Sequence, residues 1–321
     1  VQGEGKGEVL FEGLPTVEIT GDGFDLDVPN TNLSGVVTAT TLRELQFGDV
    51  SSIHAIVHAG ATAEATLQES ALQSINGQLA YSVLEPEGPI GEGTVELQFP
   101  DGMEALEGTG HFVLTEDYGF PDRSAGPLVL LSGATIDALI SGGQLESLAI
   151  NSAGFLLQNP SGEGTLTGTA QGEWRPQEQS INAQVASQVE MAWPVVTQWG
   201  TFVFEQGGSI EIVVTESKLE RFHGQIPYSA EVQSSVPVKF SGELNGEYSG
   251  ETELATGTLT GALDEDVVVP VGEDQVVLET GSSLQAEVAE SALDTVTLSA
   301  ETKYIRQGTE LLQGSIPEAV Y

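Results

Sequence analysis

Cysteine is absent from this 321-residue chain, and basic residues are scarce. Without cysteine, neither disulfides nor thiolate metal sites can hold the fold together, so packing has to do it. No apolar run approaches the roughly 18 residues of a membrane-spanning helix, which predicts no transmembrane segment. Lysine and arginine number 9 against 48 acidic residues, a formal net charge of −39. A surface this acidic repels nucleic acids and anionic membranes, so we expect no nucleic-acid partner.

The local motifs of the common catalytic sites are also missing. There is no Gly-x-Ser-x-Gly elbow, and the Gly-x-Gly pieces at 91–93 and 162–164 carry a glutamate and precede no helix, unlike a phosphate cradle. Paired carboxylates would suit a polysaccharide-acting enzyme, but nothing selects two of the 48 available. We therefore predict that the protein is not an enzyme and has no catalytic residues and no cofactor, with calcium as the one ion to consider.

A fourteen-residue segment occurs twice, 147 positions apart. Residues 69–82 read ESALQSINGQLAYS and residues 216–229 read ESKLERFHGQIPYS, with seven identical positions. Such internal repetition predicts structural units in tandem. The Glu-Ser pair recurs at 146–147 and 290–291, which suggests a finer division into four quarter-units.

Apolar and polar residues alternate within the repeated segment. In its first copy Ile75, Leu79 and Tyr81 share one parity, and Gln78 and Ser82 share the other. This alternation predicts a strand with one face in a core and one in water. Some twenty such short segments, separated by glycine and proline turns, favour an all-β fold of tandem duplicated antiparallel β-sandwich or β-roll domains. Residues 134–145 are the only candidate helix.

The repeat sets the predicted domain boundaries. Residues 31–178 form a first β domain, and residues 179–321 form a second that duplicates it with an offset of about 147. The polar stretch 175–182 is the best candidate for a linker between them. Residues 1–30 have no counterpart ahead of the second copy, so they form either a closing strand or an N-terminal arm that donates a strand.

The leading functional hypothesis is a structural subunit of an extracellular filament or cell-surface assembly. A terminal strand inserted into a neighbouring subunit links copies head to tail, and such a contact grows into a fibre. The partner is then the same chain, and the apolar anchors of the assembly strand are Val9, Phe11, Leu14, Val17 and Ile19. The start at Val1-Gln2, without methionine, favours export after signal-peptide cleavage.

A second hypothesis is a secreted binding module, adhesin-like, for a carbohydrate or a lipid. Trp193 and Trp199, with Phe202 and Phe204, would line a sugar-binding face or else lie in the core. Glycans are therefore a second class of candidate partner. A polysaccharide-acting enzyme is the third alternative.

Two further candidate sites lie near the N-terminus. Asp22, Asp25 and Asp27 place three carboxylates beside a glycine turn, and calcium prefers such oxygen ligands, although their spacing is not that of an EF-hand. Asn32-Leu33-Ser34 is a glycosylation sequon, relevant in a secretory host.

Overall fold

The computed structural model describes residues 2–11, 14–27, 32–99, 106–120, 127–198, 200–233 and 236–320. These residues form 26 β-strands and no helix, which confirms the all-β prediction. The strands are β1 (Gln2–Phe11), β2 (Leu14–Asp27), β3 (Asn32–Thr41), β4 (Leu45–Phe47), β5 (His54–Val57), β6 (Thr62–Gln68), β7 (Ala71–Glu85), β8 (Gly88–Phe99), β9 (Glu107–Leu114), β10 (Tyr118–Phe120), β11 (Leu128–Leu130), β12 (Thr135–Ser141), β13 (Gln144–Gln158), β14 (Thr165–Arg175), β15 (Ser180–Met191), β16 (Trp193–Thr197), β17 (Gly200–Phe204), β18 (Ser209–Thr215), β19 (Lys218–Val232), β20 (Val238–Ser249), β21 (Leu254–Leu263), β22 (Val267–Val271), β23 (Asp274–Leu278), β24 (Ser283–Ala289), β25 (Ala292–Arg306) and β26 (Thr309–Val320).

The chain divides into two compact units. Unit 1 comprises the described residues of 1–124, 129–154 and 171–181, and unit 2 comprises those of 125–128, 155–170 and 182–321. The domain boundary predicted at 178/179 lies inside the turn that joins β14 to β15, within the segment predicted to be a linker. That the two units descend from one duplicated ancestor stays a prediction.

Unit 1 is an antiparallel sheet in which strands pair mainly with their neighbours in sequence. Its order is β1–β2–β3–β6–β7–β8–β9–β12–β13. The N-terminal residues 2–11 and 14–27 thus form a hairpin whose second strand pairs with β3. The predicted arm is part of this sheet, with β1 at its edge.

Three long strands each pair along one edge with two shorter strands in succession. The first half of β7 pairs with β6, and its residues Tyr81 to Leu84 pair with β5 of the short β4–β5 hairpin. In unit 2, β19 pairs in the same way with β18 and then with β17. Near the C-terminus, β25 pairs with β24 and then with β23.

Unit 2 follows a matching scheme. Its strands run in the order β15–β18–β19–β20–β21–β24–β25–β26, with the short hairpins β16–β17 and β22–β23 beside β19 and β25. Its buried apolar residues include Val189, Ile226, Tyr228 and Ala230. In unit 1 a buried cluster contains Ile90, Leu114, Ala134 and Ala153.

The Glu-Ser pairs mark tight turns between long strands. Glu69-Ser70, Glu216-Ser217 and Glu290-Ser291 each have two successive positive φ angles, between 50° and 66°. Two such residues form the type I′ turn that suits the twist of an antiparallel hairpin. The serine also anchors a neighbouring strand, since the Ser70 Oγ accepts the N–H of Leu33 at 2.9 Å and the Ser291 Oγ accepts that of Ala255 at 2.9 Å.

The prediction of a helix at 134–145 is wrong. The segment forms β12, a turn at Gly142-Gly143 and the start of β13. Both glycines have positive φ, 60° and 75°, so they fill the turn that Glu-Ser fills elsewhere. The four turns therefore start at residues 69, 142, 216 and 290, and Glu146-Ser147 lies inside β13. No helix within the described ranges is long and apolar enough to cross a membrane.

Candidate functional site

The predicted assembly residues lie in the β1–β2 hairpin. Val9 pairs with Val17, Phe11 pairs with Leu14, and Ile19 lies between Gly7 of β1 and Ala39 of β3. Val9 is 48% exposed and its neighbour Leu10 is 58% exposed. The hairpin therefore presents apolar side chains to solvent at a sheet edge, and the assembly role of these residues stays a prediction.

The three aspartates of the calcium hypothesis lie on β2. Asp25 pairs with Ser34 and Asp27 with Asn32, while Asp22 lies on the other side of a bulge and pairs with Val36. All three side chains are exposed. Across the described part of the chain, no three His, Asp or Glu side chains are grouped to hold a metal ion. Calcium binding here stays a prediction, without a converged set of ligands.

The sequon lies at the start of β3. Asn32 is half-buried opposite Asp27, and the Ser34 Oγ accepts the N–H of Glu69 at 3.0 Å. The sequon serine thus supports the Glu69-Ser70 turn. Glycosylation of Asn32 stays a prediction.

The aromatic residues of the sugar-face hypothesis lie on the β16–β17 hairpin. Trp193 pairs with Phe204 and Phe202 with Val195, and these aromatic side chains are half-buried. Trp199 lies outside the described residues.

The most distinctive concave feature of unit 1 is an apolar cavity of about 450 Å³. Fourteen residues line it, and none of them has a charged side chain. Most come from β7, β8, β9, β12 and β13, with Ile53, Tyr118 and Leu130 added from the short strands and their flanks. Pockets that bind small molecules are typically 300–1,000 Å³ and mainly apolar, so the cavity has the size and the lining of a ligand site.

Residues directly opposite in adjacent strands point to the same face, so the register defines rows of side chains across the sheet. We call Leu79, Val95, Gly110, Ala138 and Leu148 the Leu79 row. Its counterpart, which we call the Ile226 row, is Ile226, Leu244, Leu259, Ala286 and Val296. Leu79 and Ile226 are equivalent positions of the repeated segment, 147 residues apart.

The two rows differ most at their centre. Gly110 of unit 1 lines the cavity, and the same position in unit 2 holds Leu259. A Cβ added at Gly110 would meet the Ala138 Cβ at 3.4 Å and a Val95 methyl at 3.8 Å, which are ordinary contacts. The backbone at Gly110 therefore has room for a Cβ, and the glycine leaves the centre of the Leu79 row without a side chain.

Two tyrosines provide the polar atoms of the cavity lining. The Tyr81 ring stacks on Phe112, with centroids 6.3 Å apart, and burial raises the pKa of its hydroxyl. Opposite Tyr81 lies Gly93, where a Cβ would stand 2.8 Å from the tyrosine ring. The Tyr118 hydroxyl donates a hydrogen bond of 2.7 Å to the Glu85 carboxylate. The lining thus combines apolar side chains with two tyrosine hydroxyls and has no charged side chain.

The local sequence patterns do not predict this cavity. Its members come from strands that pair only once the register is known, and most are ordinary strand residues in isolation. The one available signal in the sequence is a difference between two equivalent segments. Residues 108–110 read GTG, and residues 257–259 of unit 2 read GTL, with leucine in place of the second glycine. No family model matches the chain, and neither the curated proteins nor the solved structures contain a match to it.

Proposed function

We propose that the protein is a binding module that holds an apolar small molecule in the unit 1 cavity. The observation that carries this proposal is a space of about 450 Å³ lined by fourteen uncharged residues, with glycine where unit 2 has leucine. An engineered cavity of roughly 150 Å³ binds benzene, so a site about three times larger accommodates a ligand of lipid size. A secreted or cell-surface location belongs to the same proposal.

Displacement of a neutral fluorescent probe tests binding. N-phenyl-1-naphthylamine should gain fluorescence on adding the full chain and should lose it when a long-chain alcohol competes. Gly110→Leu should remove most of this signal because the leucine adds a side chain at the middle of the lining, between Val95 and Ala138, and leaves too little room for the probe. Thr109→Leu is the matched control, since Thr109 is exposed on the opposite face of β9. Equal probe binding by Gly110→Leu and by the unsubstituted chain would show that the cavity is not the site.

A second candidate function is the structural subunit that polymerises head to tail. What supports it is the exposure of apolar residues on the two terminal strands: Val9 and Leu10 on β1, and Leu311, Leu312 and Ile316 on β26. Long exposed edges of this kind pair readily with other strands. Pairing of β1 in one copy with β26 in the next is heterologous and does not close on itself.

Electron microscopy of the purified chain over a range of concentrations tests this second function. Val9→Lys should prevent polymers, because a lysine on an edge strand opposes strand addition. Val196→Lys is the control, since Val196 is an 81% exposed valine on the short strand β16. Monomers at every concentration, or polymers that are insensitive to Val9→Lys, would exclude assembly through β1.

A further inference from the structure

The lining of the unit 1 cavity covers a broad patch of the sheet. It crosses five strands that pair in succession, from Tyr81 on β7 through Val95, Phe112 and Ile136 to Leu148 on β13. Adjacent strands lie about 4.8 Å apart, so the lining extends about 19 Å across the sheet. On β9 and on β12 the lining also runs over five residues, about 13 Å along the strand. A volume of about 450 Å³ spread over this patch is no deeper than one hydrocarbon chain.

The volume also limits the length of the chain. If about 150 Å³ holds the six carbons of benzene, three times that volume holds roughly eighteen carbons at the same density. A lipid with two such acyl chains exceeds this limit. The ligand that fits is a single unbranched chain of roughly twelve to eighteen carbons.

The charges of the lining and of the whole protein determine which head group the ligand can have. The lining has no cationic side chain to pair with a carboxylate or a phosphate, and the whole protein carries a net charge of −39. An anionic head group is therefore repelled. The lining has no carboxylate to pair with a cationic head group either. The Glu85 carboxylate already accepts the hydroxyl of the lining residue Tyr118, and burying an unpaired cation is unfavourable. The Tyr81 hydroxyl can donate a hydrogen bond to an uncharged oxygen, and the Tyr118 hydroxyl, whose proton goes to Glu85, can accept one from an alcohol.

We infer that the occupant of the cavity is a neutral single-chain lipid, such as a long-chain alcohol or its ester. This inference rests on the proposed binding function and adds the chemical class of the ligand. The hydrocarbon chain lies across β7 to β13, and the uncharged polar end lies near the tyrosine hydroxyls.

The test compares three ligands that share a twelve-carbon chain and differ only in the head group. Dodecanol, dodecanoate and dodecyltrimethylammonium each compete with N-phenyl-1-naphthylamine on the full chain, below their micelle concentrations. Dodecanol should bind about tenfold more tightly than either charged ligand, a difference of about 1.4 kcal/mol. Native mass spectrometry should show one dodecanol per chain, and Gly110→Leu should lose it while Thr109→Leu keeps it.

Varying the salt concentration tests whether charge repulsion causes the weaker binding of dodecanoate. Raising the ionic strength from about 0.01 M to about 1 M shortens the screening length from about 30 Å to about 3 Å. The difference in affinity between dodecanol and dodecanoate should then shrink.

The outcomes separate the inference from the function on which it rests. Probe binding that depends on Gly110, together with equal or tighter binding of dodecanoate or of the ammonium ligand, would overturn the neutral head group and keep the binding function. Absence of probe binding, or probe binding unchanged by Gly110→Leu, would overturn both. Two bound dodecanol molecules per chain, both lost in Gly110→Leu, would overturn the single-chain limit.

Discussion

Units 1 and 2 share one scheme of strand pairing but differ in the side chains at equivalent positions. Across the centre of the sheet, unit 1 has Val95, Gly110 and Ala138, and unit 2 has Leu244, Leu259 and Ala286. The backbone register across these rows is the same in both units, so the difference there lies in the side chains. A sheet whose strands hydrogen-bond through their backbones tolerates such changes in volume, because pairing does not depend on the size of the side chains on one face.

The adjacent row shows a second contrast. In unit 1 Tyr81 faces Gly93 and then Phe112, and its ring stacks on the phenylalanine. In unit 2 Tyr228 faces two glycines in succession, Gly242 and Gly261. Tyr228 is 3% exposed and its hydroxyl donates to the Thr260 carbonyl at 3.1 Å. The tyrosine is a core residue in unit 2 and part of a cavity wall in unit 1.

The largest expected effect comes from giving unit 2 the glycine of unit 1. Leu259→Gly should lower the free energy of unfolding by about 3 kcal/mol, from lost burial and cavity formation and from the flexibility of glycine in a strand. Urea denaturation measures the change. Thr256→Gly, at an exposed position on the other face of β21, measures the glycine contribution alone. Equal losses for the two variants would mean that Leu259 fills no space.

The reverse substitution should stabilise unit 1. Gly110→Leu should raise the free energy of unfolding of the ligand-free protein by about 1–2 kcal/mol, because it buries apolar surface and restricts the unfolded chain. The same urea denaturation applies, with Thr109→Leu as the exposed control. A loss of stability would show that the cavity lacks room for four more carbons and that the comparison of the rows is incorrect.

Removing single hydroxyls should sharpen the contrast between the tyrosines. Tyr228→Phe should lower the free energy of unfolding by about 1 kcal/mol, since it deletes a buried hydrogen bond. Tyr81→Phe should change it by less than about 0.5 kcal/mol, because the Tyr81 hydroxyl has no hydrogen-bond partner within the described residues. Thermal or urea unfolding of both variants tests this, and equal effects would contradict the distinction.

The smallest expected effect is a loss of folding stability at alkaline pH. Burial raises the pKa of the hydroxyls of Tyr81 and Tyr228 above the usual value of about 10. The folded state therefore holds these protons more tightly than the unfolded state does. The resulting stability is complete below about pH 10 and is lost as pH rises through the folded pKa.

Urea midpoints between about pH 9 and about pH 11 should fall less steeply for Tyr228→Phe than for the unsubstituted chain. A bound long-chain alcohol should delay ionisation of Tyr81 and leave Tyr228 unchanged, as measured by tyrosinate absorbance in each single variant. Delayed ionisation of both tyrosines would show that the alcohol does not act through the unit 1 cavity alone.

Much of the fold was predictable because strand alternation is a local property. Ile75, Leu79 and Tyr81 alternate with polar residues, and they lie in β7 as the pattern indicates. The helix prediction failed at Gly142-Gly143, because a turn that needs two positive φ angles is satisfied by Glu-Ser at one place and by Gly-Gly at another. The branching of β7 and β19, each with two partners on one side, has no sequence signature.

The cavity was not predictable for a different reason. In the sequence Gly110 is an ordinary strand glycine. It lines a cavity only because it lies beside Val95 and Ala138, which are 15 positions before it and 28 positions after it. Only the register places the three side by side. The predicted sites near the N-terminus drew on residues close together in sequence, and the strand pairings separate Asp22 from Asp25 by a bulge.

Each unit pairs its strands mostly in chain order, and this has a consequence for how the molecule comes apart. A strand at an edge, such as β1 or β26, is held by one neighbour, and removing it leaves the remaining ladder intact. Opening therefore proceeds inwards one strand at a time, as in other arrays stabilised by nearest neighbours. Amide exchange should be fastest in these outer ladders and slowest around β8 and β20, and a protease should trim the chain to inner fragments that still fold.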